Sequence, residues 1–169
     1  MPRSDSRTSA VRNFTFGVED SLASTVGLLS GVASAQVGSQ LIVLTGSILI
    51  LTEAMSMGMG SFLSDLSVRQ LTRHQDVPTR QSVSGGLIMF FSYLLSGLIP
   101  LAPYVFLRSQ QALWLSITLS LIALFLLGVV NAAIAKIPPL RQGVRMLILG
   151  GIVAIGGVFI GNLLHWTIK

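Results

Sequence analysis

Five long stretches of mainly apolar residues run along the chain, and their length restricts the fold more than any other feature. They cover residues 14–35, 41–64, 84–106, 112–135 and 146–166. A helix needs about 20 residues to cross a hydrocarbon core of about 30 Å, so each stretch is long enough for one span. The stretches do not alternate between apolar and polar residues, as membrane β-strands would. We therefore expect an all-α fold, a five-helix transmembrane bundle that forms a single domain over residues 1–169.

The composition agrees with a membrane protein and excludes several other classes. Hydrophobic residues make up 51% of the chain and charged residues 10%, with a mean hydropathy of +0.77, which leaves too little polar surface for a soluble domain. The net charge is +5, but the basic residues are scattered at the ends of the spans, so we expect no nucleic-acid partner. The absence of cysteine excludes disulfides, thiolate metal sites and Fe–S clusters.

The positions of the basic residues predict the orientation in the membrane. Nine of the 11 fall on the side of the N-terminus: Arg3, Arg7, Arg12, Arg69, Arg73, Arg80, Lys136, Arg141 and Arg145. The opposite side holds only Arg108 and Lys169. Because segments rich in Lys and Arg stay in the cytoplasm, we expect a cytoplasmic N-terminus and an external C-terminus.

The start of the chain also has features of a cleaved signal peptide, namely a basic beginning, an apolar stretch and the sequence Ala33-Ser34-Ala35. Glu19 and Asp20 would interrupt the apolar region of such a signal. The later spans already provide membrane insertion. We therefore interpret this segment as the first membrane helix.

The first span is unusually polar, and its small and polar residues share one face. Gly17, Asp20, Ser24, Gly27 and Gly31 recur at spacings of three and four. This stripe is expected to face another helix or a cavity. Two glycines four residues apart also allow close helix packing, and the last span repeats the pattern with glycines at 157 and 161. Close packing is a more common use of such pairs than a specific dimer seam.

The second span carries Glu53 inside an otherwise apolar helix. Met57 and Ser64 share its face, with Gly60 or Ser61 between them. The turn at 36–40 is short, so the first two spans are antiparallel neighbours and Glu53 is expected to face Asp20.

Carboxylates at membrane depth are costly, on the order of 2.5–3.5 kcal/mol each, and usually mark an ion path or proton relay. Asp20 and Glu53 are therefore the main candidate metal-binding residues. Glu19 points about 100° away from Asp20, so it is a weaker candidate for the transport path, as are Ser24 and Ser64 as sources of secondary oxygens.

Carboxylates in a dry helix bundle can exchange a proton for a metal ion. Burial favours the protonated acid, whereas a divalent cation favours the ionised form and expels the proton. Metal and proton binding therefore exclude each other, which is the minimum that a proton-coupled metal antiporter requires. The thioether of Met57 favours Fe²⁺ and its neighbours, and oxygen ligands keep Mn²⁺ open. Met57 is equally well explained as a filler between helices, and filling is the better explanation for Met55 and Met59.

The connection at 65–83 contains Asp65, His74 and Asp76, which are residue types that bind metals. The segment mixes acidic and basic residues, as solvated linkers do. We therefore predict a cytoplasmic linker without a metal site there.

Several motifs of the chain resemble the vacuolar iron transporter family. The first two spans carry RNFTFGVEDSLASTVGLLSGVASA and EAMSMGMGSFLS, and the third carries GGLIMFFSYLLSGLIPLAPY. The segment from ALFLLGVVNAAIAK to IGNLL is similar to the fourth and fifth helices of the family. The resemblance extends in order over nearly the whole chain. It implies five membrane helices, a homodimer with the path between the two first helices, and transport of Fe²⁺ and Mn²⁺ out of the cytosol.

The resemblance also implies roles for individual residues. Asp20 matches the first-helix carboxylate that binds metal and proton, Met57 matches a second-helix methionine, and Glu53 resembles an acidic residue of the shorter prokaryotic members. Plant-type members carry a glutamate-rich cytoplasmic metal-capturing domain between helices two and three, whereas residues 65–83 contain no Glu. Ser61 stands where many members have Glu.

These features together predict a transporter that exports Fe²⁺ or Mn²⁺ from the cytosol by proton antiport. The metal is substrate, and no permanently bound cofactor is expected. The expected partners are the metal ion, protons, the lipid bilayer and a second copy of the chain. The alternatives are a non-transporting scaffold subunit and a passive cation channel. An enzyme is not expected, because no catalytic motif is present. The compact length and missing organelle signals favour a prokaryotic inner membrane.

Overall fold

The fold consists of five long α-helices in the part of the chain that the structure, a computed structural model, describes: residues 2–74 and 78–167. The helices are α1 (Pro2–Ser34), α2 (Ser39–Arg73), α3 (Arg80–Phe106), α4 (Ser109–Ala135) and α5 (Pro139–Thr167). Each predicted span lies almost entirely within one helix, and the described residues contain no strand. The predicted all-α fold with five helices is therefore confirmed.

Four of the helices, α2 to α5, are long and apolar enough to cross a membrane. α1 is the exception among the described residues, because polar and acidic side chains interrupt its apolar sequence. α1 instead packs against all four other helices. Its side chains Leu22, Val26 and Leu29 are fully buried, as are the polar Ser21 and Thr25. The most polar helix therefore occupies the centre of the bundle, where the other helices shelter it.

The outer helices form a row around α1, with α2 against α3, α3 against α4 and α4 against α5. The row does not close into a ring. Between α2 and α5 a groove with a volume of about 860 Å³ exposes one side of α1. The polar stripe of α1 therefore has an open side in the single chain.

Glycines allow α1 and α5 to lie in backbone contact. A Cβ atom at Gly157 would overlap the carbonyl oxygen of Gly27, and one at Gly161 would overlap that of Gly31. Only glycine fits positions where two helix backbones touch in this way. The structure thus confirms the close-packing interpretation of both glycine pairs, and it shows that the two pairs pack on each other within one chain.

The predicted linker at 65–83 is wrong over much of its length. α2 continues to Arg73 and α3 begins at Arg80, so residues 65–73 are helical. Asp65 is largely buried and accepts hydrogen bonds from Arg69 Nε at 2.7 Å and Ser82 Oγ at 2.8 Å. The pair four residues apart stabilises the extra turns, and the bond to Ser82 joins α2 to α3. His74 is exposed, and Asp76 lies outside the described residues.

Candidate functional site

Glu53 lies midway along α2 and joins three helices through its side chain. Its Oε2 accepts a hydrogen bond from Ser24 Oγ of α1 at 3.1 Å and another from the Tyr93 hydroxyl of α3. The two hydroxyl oxygens are themselves 2.6 Å apart. Glu53 forms no ion pair within the described ranges, so hydroxyl groups are the partners of its carboxylate there. Ser24, a weaker candidate from the sequence, is therefore a direct neighbour of Glu53.

Tyr93 is a site residue that the sequence reasoning missed. Its side chain is fully buried, with 0% exposed. Its backbone carbonyl accepts a hydrogen bond from Ser21 Oγ at 2.7 Å, which fixes α3 against α1 at this level. A buried tyrosine hydroxyl needs a polar partner, and this rule is the signal by which the sequence could have indicated Tyr93. The sequence alone does not show that this partner is Glu53, because the two residues are 40 positions apart.

The Glu53 network borders the groove between α2 and α5. Glu53, Ser24 and Leu49 line it, together with the glycines at which α1 and α5 touch. His165 of α5 also lines the groove and borders the same space as Glu53. The groove walls are otherwise mainly apolar. Glu53 is the only carboxylate on the wall formed by the described residues.

Asp20 and Met57 lie one helical turn from the Glu53 network, towards the predicted cytoplasmic side. Ser24 of α1 pairs with Glu53 of α2. Twelve residues before Ser24 in α1 and twelve residues after Glu53 in α2, Arg12 lies within electrostatic reach of Asp65. Because the two helices are antiparallel, Asp20, four residues before Ser24, lies level with Met57, four residues after Glu53. Within the described residues, no hydrogen bond joins Asp20 to Glu53. The predicted convergence of the two carboxylates therefore stays a prediction.

Glu19 lies on a different side of α1 from the Glu53 network. Thr15, one turn away, donates a hydrogen bond to Asn131 Oδ1 of α4 at 3.0 Å, so this face of α1 is directed at α4. Asn131 thus takes part in a hydrogen bond between α4 and α1. Glu19 therefore faces away from the groove.

The remaining predicted residues of α2 separate into two groups. Met57 and Ser61 follow Glu53 at intervals of four residues and are half-buried, and Ser61 Oγ is a buried atom without a partner. Ser64 is exposed. Met55 and Met59 are exposed and line a separate shallow groove against α3, so they do not fill gaps inside the bundle. Ser61 is thus a better placed oxygen than Ser64.

No group of three or more Asp, Glu or His side chains that could hold a metal ion occurs in residues 2–74 and 78–167. A cation bound at Glu53, alone or with one further carboxylate, would therefore need hydroxyl, thioether or water ligands to complete its coordination, or ligands from a second chain. The Glu53 network supplies hydroxyl groups at Ser24 and Tyr93, and Met57 supplies a thioether one turn away.

Comparison with known proteins gives a consistent family assignment. The model of the VIT family matches residues 11–85 and 68–162. Vacuolar iron transporter 1 of Tulipa gesneriana is 23% identical, over 86% of this chain and 83% of its own length. Vacuolar iron transporter homolog 2 of Arabidopsis thaliana is 26% identical, over 90% of this chain and 83% of its own length. The family match and the four apolar helices indicate a multi-pass membrane protein. The chain belongs to the VIT family.

Proposed function

We propose that the protein is a carrier that exports a divalent transition metal, Fe²⁺ or Mn²⁺, from the cytosol in exchange for protons. The observation that supports this most strongly is the position of Glu53. A carboxylate at the middle of a membrane helix, held by two hydroxyls at the wall of a groove, is costly unless it binds an ion. The relatives are named vacuolar iron transporter 1 and vacuolar iron transporter homolog 2, and these names agree with a metal ion as cargo.

The proposed exchange uses the carboxylates of Glu53 and Asp20. Each carboxylate is proposed to hold either a proton or the cation, and not both at once. A divalent cation displaces the proton, and protonation from the other side later releases the cation. Met57 lies level with Asp20 and supplies a thioether, which favours Fe²⁺, while the oxygen ligands also suit Mn²⁺.

The proposed carrier is a homodimer in which a second copy covers the groove between α2 and α5. Glu53 and Ser24 face this groove, and a lipid chain there could give the Glu53 carboxylate no hydrogen bond beyond those from Ser24 and Tyr93. An isologous contact would bring the same groove of both copies together, so each copy adds its own Glu53 to the path. This arrangement would provide the ligands that one chain lacks.

The proposed topology has five membrane crossings, with the N-terminus in the cytoplasm. α1 would cross as an inner helix sheltered by the other four, which explains how it tolerates its polar residues. The excess of basic residues at one end of the spans supports this orientation. The host membrane, predicted as a prokaryotic inner membrane, can be tested by cell fractionation.

Reconstitution into liposomes tests the function. Liposomes containing the purified protein, a metal-sensitive dye and a pH-sensitive dye are given Mn²⁺ or ascorbate-reduced Fe²⁺ at two pH values. An antiporter moves the metal and an opposite flow of protons together. An imposed pH gradient then accumulates metal on the acidic side.

The same assay separates the rival functions. A scaffold subunit gives no metal movement above that of protein-free liposomes. A passive channel moves the metal without coupled protons, and a pH gradient at zero membrane potential does not drive accumulation. Either result contradicts the proposed antiport.

A further inference from the structure

The two oxygens of the Glu53 carboxylate have different surroundings. Oε2 accepts both hydrogen bonds, from Ser24 and Tyr93. Oε1 accepts none from the described residues, and it is not one of the buried polar atoms without a partner. Since Glu53 lines the groove between α2 and α5, Oε1 is the oxygen that is open to it. The carboxylate is therefore anchored at one oxygen and available at the other.

Tyr93 is the more rigid of the two anchors. Its ring is completely buried, and Ser21 fixes its backbone carbonyl. A tyrosine has few rotatable bonds, so a buried ring places its hydroxyl at one point. Ser24 lies on the groove wall and is only partly buried, so its hydroxyl can rotate between Glu53 and Tyr93.

We infer that Tyr93 is a positioning residue for Glu53: its hydroxyl holds Oε2 so that Oε1 is directed into the groove to meet a divalent cation. The inference rests on the proposed function, since it gives Glu53 a cation to bind. Hydrogen bonds that orient a ligand typically change metal affinity by about 10- to 100-fold when they are removed. Tyr93 thus acts through Glu53 and need not touch the metal.

The test replaces Tyr93 by Phe, which keeps the ring and removes one oxygen atom. We expect the Mn²⁺ concentration for half-maximal flux in liposomes to rise about 10- to 100-fold, with the maximal flux changed much less. Tyr104→Phe is the matched control. It removes a buried hydroxyl from the same helix, 11 residues further along and so about 16 Å from Tyr93. This control is expected to retain the wild-type half-maximal concentration.

A second measurement separates positioning from folding. The melting temperature of the metal-free protein in detergent reports on folding, and its rise on adding Mn²⁺ reports on binding. Tyr93→Phe is expected to lose most of this rise, and Tyr104→Phe to keep it. Ser24→Ala is expected to lose less of it than Tyr93→Phe.

Equal half-maximal concentrations and equal Mn²⁺-induced rises in Tyr93→Phe and Tyr104→Phe would overturn the inference. A Tyr93→Phe protein that loses maximal flux but keeps wild-type Mn²⁺ affinity would also overturn it. A wild-type protein that neither binds nor moves Mn²⁺ and Fe²⁺ would overturn the proposed function itself, and the inference with it.

Discussion

Asp20 and Glu19 are adjacent residues that face different parts of the bundle. Asp20 lies on α1 one turn from Ser24, the hydroxyl that bonds to Glu53, while Glu19 lies on the face directed at α4. We predict that Asp20→Asn lowers metal flux at least tenfold, which is roughly the effect of disturbing a metal ligand. Glu19→Gln is expected to retain a larger share of the wild-type flux. The measurement is the initial rate of Mn²⁺ uptake into liposomes with equal amounts of each protein. A larger loss in Glu19→Gln would place the path on the α4 side of α1.

Single residues differ in how far the sequence reveals them. Glu53 and Asp20 are predicted from the sequence because any carboxylate at membrane depth requires an explanation. Tyr93 was missed because tyrosine is ordinary in membrane helices, and only the packing of α3 against α1 and α2 shows its partner. Ser64 shares the predicted face of Glu53 and is nevertheless exposed, because helical spacing gives a shared face but not the rotation of that face towards its neighbours.

Helix packing depends on glycines at the contact of α1 and α5. We predict that Gly157→Ala destabilises the protein by about 1–3 kcal/mol, because the new methyl group would collide with the backbone of Gly27. Gly151→Ala on the same helix is the control, since its Cβ would meet no atom within 4 Å. Thermal unfolding in detergent measures both variants.

If the two alanine variants had equal melting temperatures, the backbone contact between α1 and α5 would be wrong. The control variant also carries an expectation of its own for stability. Alanine favours a helix over glycine, so Gly151→Ala is expected to be neutral or slightly stabilising.

Helix ends were harder to predict than helices. Apolar length defines the membrane-crossing part, but α2 has 35 residues, which is about 52 Å and exceeds a hydrocarbon core of about 30 Å. The extra turns carry polar residues, so hydropathy gives no signal for them. Their stability comes from contacts such as the pair of Asp65 and Arg69 within α2 and the bond from Ser82 of α3 to Asp65, and the second of these depends on the neighbouring helix.

The complete molecule has one feature that hydropathy could not predict, the groove that opens α1 between α2 and α5. The number of helices follows from the number of apolar stretches. Their arrangement does not, because it depends on which faces pack, and the sequence shows only that α1 has a polar stripe. In the expected homodimer, a second copy of the chain covers this groove.

Cross-linking tests the dimer directly, and the chain has no cysteine that would interfere. Leu28 lines the groove and is 36% exposed, whereas Ile122 is 51% exposed on α4 and does not line it. We predict that Leu28→Cys in native membranes forms a covalent dimer with a bifunctional maleimide and that Ile122→Cys does not. If Ile122→Cys forms the covalent dimer and Leu28→Cys does not, the dimer interface lies on another face of the bundle.

The central claim is that Glu53 binds the transported cation, and Mn²⁺ flux through Glu53→Gln tests it most directly. Gln keeps the size of the side chain and can still accept the two hydroxyl hydrogen bonds, but it has no negative charge. We predict that the folded variant, with a metal-free melting temperature close to wild type, transports Mn²⁺ no faster than protein-free liposomes do. Wild-type flux through this variant would contradict the account.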